Sequence, residues 1–305
     1  MSLQNLAYWY ALAFMPGTGK GRSNSLTTER RNNVYIAAFQ HEPRLSIVEL
    51  FERKELWPKL GLTAEECQAF TQGYSELTNY SFQIEQWLNQ GYELIPFHDA
   101  RYPKSLKTNL KRRTPTLLFA KGNVELLHLP MTAIVGSRDA SAISLQFTDH
   151  IAQKAAQSGQ VVVSGGAKGV DQRALEAVLA CGGSSVVVLA QGIDTFSAGF
   201  KQYYQALVAG KLLVISSYAP TDRWSTWRAM ARNKLVYGLA THTYVAQSGD
   251  SGGTWEGAKE GLRAQRAIFV RQPEANELCA NNQLIAQGAQ PVDLYGNEIE
   301  LPILS

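Results

Sequence analysis

The spacing of apolar and polar positions changes its rhythm near residue 91. Before that point the pattern is helical. Leu3 to Phe14 is a short apolar helix closed by Met15-Pro16-Gly17, and Gly17 to Ser23 is expected as a flexible turn. Further helical patterns run over Asn33 to Gln40, Ser46 to Leu56, Thr63 to Gly73 and Ser81 to Asn89, the last stopped by Gly91. Thr63-Ala-Glu-Glu66 has the form of a capping box. After residue 91, short Val/Ile/Leu-rich runs alternate with helical stretches. Strands are expected at Glu93–Pro96, Thr116–Ala120, Thr132–Val135, Val161–Val163, Ser185–Leu189, Leu212–Ile215, Thr243–Ala246 and Ala267–Val270. Helices are expected at Ser141–Ser158, Asp171–Cys181, Ser225–Tyr237 and Thr254–Ala264. The strands show no polar alternation, which predicts burial on both faces. The expected fold class is therefore α/β, an extended Rossmann-like, doubly wound and mostly parallel sheet. A small helical N-terminal domain, 1–90, precedes the Rossmann-like domain, 91–305.

In such sheets ligands bind beyond the carboxyl ends of the strands. Four loops are expected there. Gly136, Ser137 and Arg138 follow the 132–135 strand. The run Ser164-Gly165-Gly166-Ala-Lys168-Gly169-Val-Asp171 has the form of strand, tight glycine turn and helix start, built to hold an anion. Arg232, Asn233 and Lys234 sit within the 225–237 helix. Ser251, Gly252, Gly253 and Thr254 lead into the helix that carries Glu256. Each has a plainer alternative. Gly136 and Ser137 also fit a turn and a cap, Arg138 an ion pair, and Lys234 a solvated surface position. Asp171 fits a helix N-terminal charge. Two glycine-rich loops with Arg138, Lys168 and Arg232 on one edge favour an anion pocket over these. Gly17-Thr-Gly-Lys20 is not a Walker A loop, because no Ser or Thr follows the lysine.

Composition narrows the partners only slightly. Of 305 residues, 45% are hydrophobic and 18% charged, as in an ordinary globular protein. No apolar run reaches the roughly 18 residues of a membrane span. The start lacks a basic n-region, so a secretory signal is not expected. The three cysteines, Cys67, Cys181 and Cys279, are widely spaced, and the five histidines show no ligand spacing. Neither a disulfide framework nor a metal site is indicated, no cofactor is expected, and a cytoplasmic home fits best. Net charge is only +3, but Arg101, Lys104, Lys107, Lys111, Arg112 and Arg113 follow one another with no acid between them. That run reads either as a solvated basic face or as a phosphate-contacting patch.

Several motifs together resemble one family, the DNA-processing protein A (DprA/Smf) family. They are Ala133-Ile-Val-Gly-Ser-Arg138, Ser164-Gly-Gly-Ala-Lys-Gly-Val-Asp171, Val188-Leu-Ala-Gln-Gly-Ile-Asp194, Arg232-Asn-Lys-Leu-Val-Tyr-Gly-Leu239 and Asn282-Gln-Leu-Ile-Ala-Gln-Gly-Ala289. Tyr102-Pro103 and Thr114 to Asn123 are similar to that family's entry to the nucleotide fold, and Met15-Pro-Gly-Thr-Gly19 to its N-terminal domain. The resemblance implies binding and protection of single-stranded DNA without cutting, in DNA uptake and recombination during natural transformation. It implies a homodimer and a RecA-type recombinase as partner. It puts Arg138, Lys168 and Arg232 on backbone phosphates, with Lys234 a weaker candidate, and the amides of Gly165, Gly166 and Gly169 in the same pocket. Trp224 and Trp227 lie near it, where they fit either base stacking or core packing.

A rival reading is enzymatic. Gly253-Thr-Trp-Glu256 is similar to the Gly-Thr-x-x-Glu-type loop of LOG-like nucleotide phosphoribohydrolases. There Glu256 would assist cleavage of an N-glycosidic bond and Arg232 would steady the developing charge. A third reading, nucleotide sensing, would use the same pocket without turnover.

Overall fold

The computed structural model describes residues 1–15 and 26–300, so the Gly17–Ser23 turn and most of the Met15–Gly19 motif lie outside the described residues. The chain divides into two compact units, 1–102 with 110–120, and 103–109 with 121–305. This division differs from a break near residue 90.

The first unit holds α1 (Leu3–Phe14), α2 (Thr28–Gln40), α3 (Ile47–Glu52), α4 (Ala64–Ser75) and α5 (Leu77–Asn89). It also holds β1 (Glu93–Pro96) and most of β2 (Leu117–Gly122), paired antiparallel from Glu93↔Ala120 to Pro96↔Leu117. Eight successive residues of α1, Leu6 to Ala13, are buried. A helix apolar on every side must lie at the centre of its unit. Trp9 is its anchor, 4.6 Å from the Tyr35 ring and stacked 4.8 Å from His98. Phe119 on β2 meets Trp87 edge-on at 5.6 Å, which ties the strand pair to the helices. The capping box at Thr63 and Glu66 is present, with both reciprocal hydrogen bonds, at 3.3 and 2.9 Å. Glu66 also receives two hydrogen bonds from Arg30, at 2.6 and 2.7 Å. α2 begins five residues earlier than its apolar pattern, at a cap formed by Thr27. Its early turns are polar because Asn32 is used for bonding rather than for hydrophobic packing. Buried, it donates to the carbonyls of Arg112 and Thr114 and accepts from Thr116.

The second unit opens with most of α6 (Lys104–Leu110) and is built on β3 (Met131–Val135), α7 (Ala142–Gln157), β4 (Val161–Ser164), α8 (Val170–Ala180) and β5 (Ser184–Val188). There follow α9 (Ser197–Gln202), α10 (Tyr204–Val208), β6 (Leu212–Ser216), α11 (Thr226–Leu239), β7 (His242–Val245), α12 (Gly252–Arg263), β8 (Ala267–Arg271), α13 (Asn281–Ala286) and β9 (Gln290–Val292). Seven strands lie in the order β6-β5-β4-β3-β7-β8-β9, each parallel to its neighbours. Every residue of β3, β4 and β6 is buried. Successive side chains point to opposite faces, so both faces are covered. The strand order runs one way from β3 to β6 and the other way from β7 to β9. The reversal between β3 and β7 is a topological switch point, where loops diverge and leave a crevice.

Among the described residues no helix is long and apolar enough to cross a membrane. The basic run at 101–113 is less uniform than its sequence. Arg101 is paired with Glu93 at 2.5 Å and Asp99 at 2.8 Å, both supplied from upstream, and Arg112 donates to Asn33.

Candidate anion and nucleic-acid interface

A cavity of about 400 Å³ opens at the switch point. Its walls come from the loop after β3, the glycine loop after β4, the inner face of α11, and the loop that starts α12. Hydrogen bonds stitch these loops together. Ser137 N–H donates to the Gln247 carbonyl at 2.9 Å, Val170 N–H to the Ser137 carbonyl at 3.2 Å, and Thr254 Oγ1 to the Gly136 carbonyl at 3.1 Å. Gly169, at φ +76°, allows the close crossing. A Cβ there would lie 2.4 Å from the Ser137 carbonyl oxygen.

Arg232 projects from α11 beneath the glycine loop and is only 5% exposed. A Cβ on Gly165 would fall 1.2 Å from its Nη1, so only glycine leaves room for the guanidinium. Nη1 donates to the Val188 carbonyl at 3.2 Å and sits 3.8 Å from Asp171 Oδ2. Nε is buried with no hydrogen-bond partner among the described residues. Asp171 in turn accepts from the amides of Gly165, at 3.0 Å, and Ala167, at 3.4 Å. Burial raises the Asp171 carboxyl above its ordinary range, although Arg232 and these amides favour its charged form. Burial lowers the Arg232 guanidinium, and Asp171 opposes that. Tyr218 is pushed up to about 12 by burial, against the pull of Arg232 and Arg228.

The start of α12 supplies the remaining donors. Ser251 makes no side-chain cap, there is no acid in the first turn, and Ser251, Gly252, Gly253 and Thr254 all line the cavity. The first amides of a helix have no intrahelical partner and carry the positive end of its dipole. Arg232 and the uncapped start of α12 thus line one cavity. Both are groups that attract an oxyanion.

Of the residues singled out in the sequence, Gly136, Ser137, Arg138, Gly165, Arg232, Asn233, Ser251, Gly252, Gly253 and Thr254 line the cavity together. Others do not. Ser164 is buried, with its hydroxyl donated to the Asp171 carbonyl. Gly166 and Lys168 are exposed on the outer side of the loop, and Gly169 serves the crossing. Lys234 is exposed and pairs with Glu260 at 3.5 Å. Glu256 is half exposed and pairs with Lys259 at 3.6 Å, outside the cavity wall. Asp171 is more than a helix-start charge, since it neutralises Arg232 and holds two loop amides. Its partner lies 61 positions further along the chain, so only the topology brings the two together. Trp224 and Trp227 are 48% and 55% exposed and belong to no core. Among the described residues no cluster of His, Cys, Asp and Glu could hold a metal ion.

The sequence profile described as DNA recombination-mediator protein A matches residues 93–300, most of the chain and all of this site. The chain belongs to that family. The DNA processing protein DprA of Streptococcus pneumoniae is 32% identical over 156 residues, 51% of this chain and 55% of that protein. The chain therefore spans about half the length of this curated relative. The solved structure of the S. pneumoniae protein superposes with a TM-score of 0.72 at 23% identity, covering 96% of this chain and 95% of that one, and so shares the fold. A DNA processing protein A from Helicobacter pylori, solved for its single-stranded DNA binding mode, is 27% identical. Its TM-score is 0.57 over 66% of this chain and 90% of that one. Family membership thus rests on the segment that holds the switch-point cavity.

Proposed function

We propose that the protein binds single-stranded DNA by its phosphate backbone, without cutting it, and serves DNA uptake and recombination. The observation that carries this reading is one cavity lined together by Arg138, Arg232 and the uncapped start of α12. Arg138 stands exposed at the rim and Lys168 on the outer loop, placed to extend the contact along a strand. Backbone contacts are indifferent to sequence, which suits a protein that accepts any strand. The H. pylori relative with a described single-strand binding mode supports the same assignment. Pairing with a second copy and delivery of the strand to a RecA-type recombinase complete the proposed role.

Fluorescence anisotropy with a labelled long oligothymidylate tests it. Binding should weaken as salt rises, with a log–log slope of about −0.7 per phosphate contacted. Arg138→Glu, at an exposed position, should cost about tenfold in affinity or more, since it replaces an attractive charge by a repulsive one. Duplex of equal length should compete poorly. No binding at low salt would overturn the reading and bring nucleoside monophosphates forward as ligands.

A further inference from the structure

Beside the cavity lies a group of exposed aromatic side chains that a phosphate site alone does not require. Trp224 and Trp227 are about half exposed, and Met230, which lines the cavity one turn along α11, is 47% exposed. Large apolar side chains in solvent at one spot mark a contact surface. Both indoles are held by cations. The Arg138 guanidinium lies 5.6 Å from the Trp224 ring centre, and that of Arg228 lies 4.9 Å from the Trp227 ring centre. Arg228 is itself fixed by Asp222 at 2.8 Å and by the Arg223 carbonyl, and Tyr218 meets Trp227 edge-on at 6.2 Å. The rings are therefore positioned rather than loosely displayed.

We propose that Trp224 and Trp227 form a stacking ledge for the unpaired nucleobases of a strand whose phosphates occupy the neighbouring cavity. The inference rests on the reading of that cavity as a phosphate site. Its chemistry is complementary to one occupant. A nucleotide presents an anion and a flat π-face a short distance apart. This corner of the protein presents a buried guanidinium, an uncapped helix start and two indoles with adjacent arginines. Duplex keeps its bases stacked on one another and offers no free face to the ledge, so the ledge selects single strands. Every base has such a face, so the ledge does not select sequence.

The experiment compares oligothymidylate with an abasic oligonucleotide of equal length, using wild type, Trp224→Ala, Trp227→Ala and the double variant. The wild type should prefer oligothymidylate by about fivefold or more, a factor set by stacking. The double variant should lose that preference while it still binds the abasic strand. Tryptophan emission should fall on binding oligothymidylate and not on binding the abasic strand. At exposed positions the substitutions should leave folding intact, and circular dichroism checks this. Equal affinity of the wild type for both strands would overturn the ledge and leave the phosphate site standing. No binding to either strand would overturn both. Altered sedimentation of the variants with unaltered DNA affinity would assign the tryptophans to a protein contact and overturn the ledge.

Discussion

Arg271 is the most deeply buried cation of the second unit, at 1% exposure. It donates to the Ala246 carbonyl, to Ser144 Oγ and to Glu277, and so joins β7, α7 and the segment before α13. Burial pushes the Glu277 carboxyl up, but Arg271, with the Glu274 amide and Ser141, outweighs this and holds it below its ordinary range. A lowered folded-state pKa stabilises the protein above the unfolded carboxylate value of about 4.3. That contribution is lost as pH falls through the lower folded value. Glu277→Gln should therefore cost about 3 kcal/mol near neutral pH, because it leaves a buried guanidinium without its counter-charge. Urea denaturation at a series of pH values checks both points. The variant should also show a flatter loss of stability on acidification than the wild type.

At the scale of elements, the two glycine turns do different work. Gly165 makes room for Arg232, and Gly169 lets the loops after β3 and β4 cross. Gly169→Ala places a Cβ against two carbonyl oxygens in left-handed backbone, and should destabilise by about 2 kcal/mol or more. Thermal denaturation measures this. The strands and loops of this region were legible because buried parallel strands read as unbroken apolar runs. The loop residues that make the cavity are glycines and cations at the ends of those runs. Less was legible where polar residues are buried for bonding, as Asn32 is in α2, or where an element is short, as α13 and β9 are. The exposure of Trp224 and Trp227 was also hidden. Their spacing fits core and surface equally, and only the packing of α11 decides.

At the scale of the whole molecule, each unit has its own apolar core. Trp9, Phe51 and Phe70 are central to the first, and Phe147, Ile151 and Val162 to the second. Phe70→Ala, at a fully buried ring, should cost about 3–5 kcal/mol. Calorimetry should show the loss in the transition of the first unit, with that of the second unmoved. If a single transition moves as a whole, the units unfold as one. With a net charge of only +3, the proposed nucleic-acid affinity rests on the distribution of charge and not on its sum.

Asp171 would also bear on how an anion leaves. A pocket lined only by arginines would, once empty, hold naked cations away from water, and that penalty would keep its occupant bound. Here the Arg232 guanidinium has a resident counter-ion 3.8 Å away, so it is not left bare in an emptied cavity. Grip and release of an anion would thereby be brought closer in free energy.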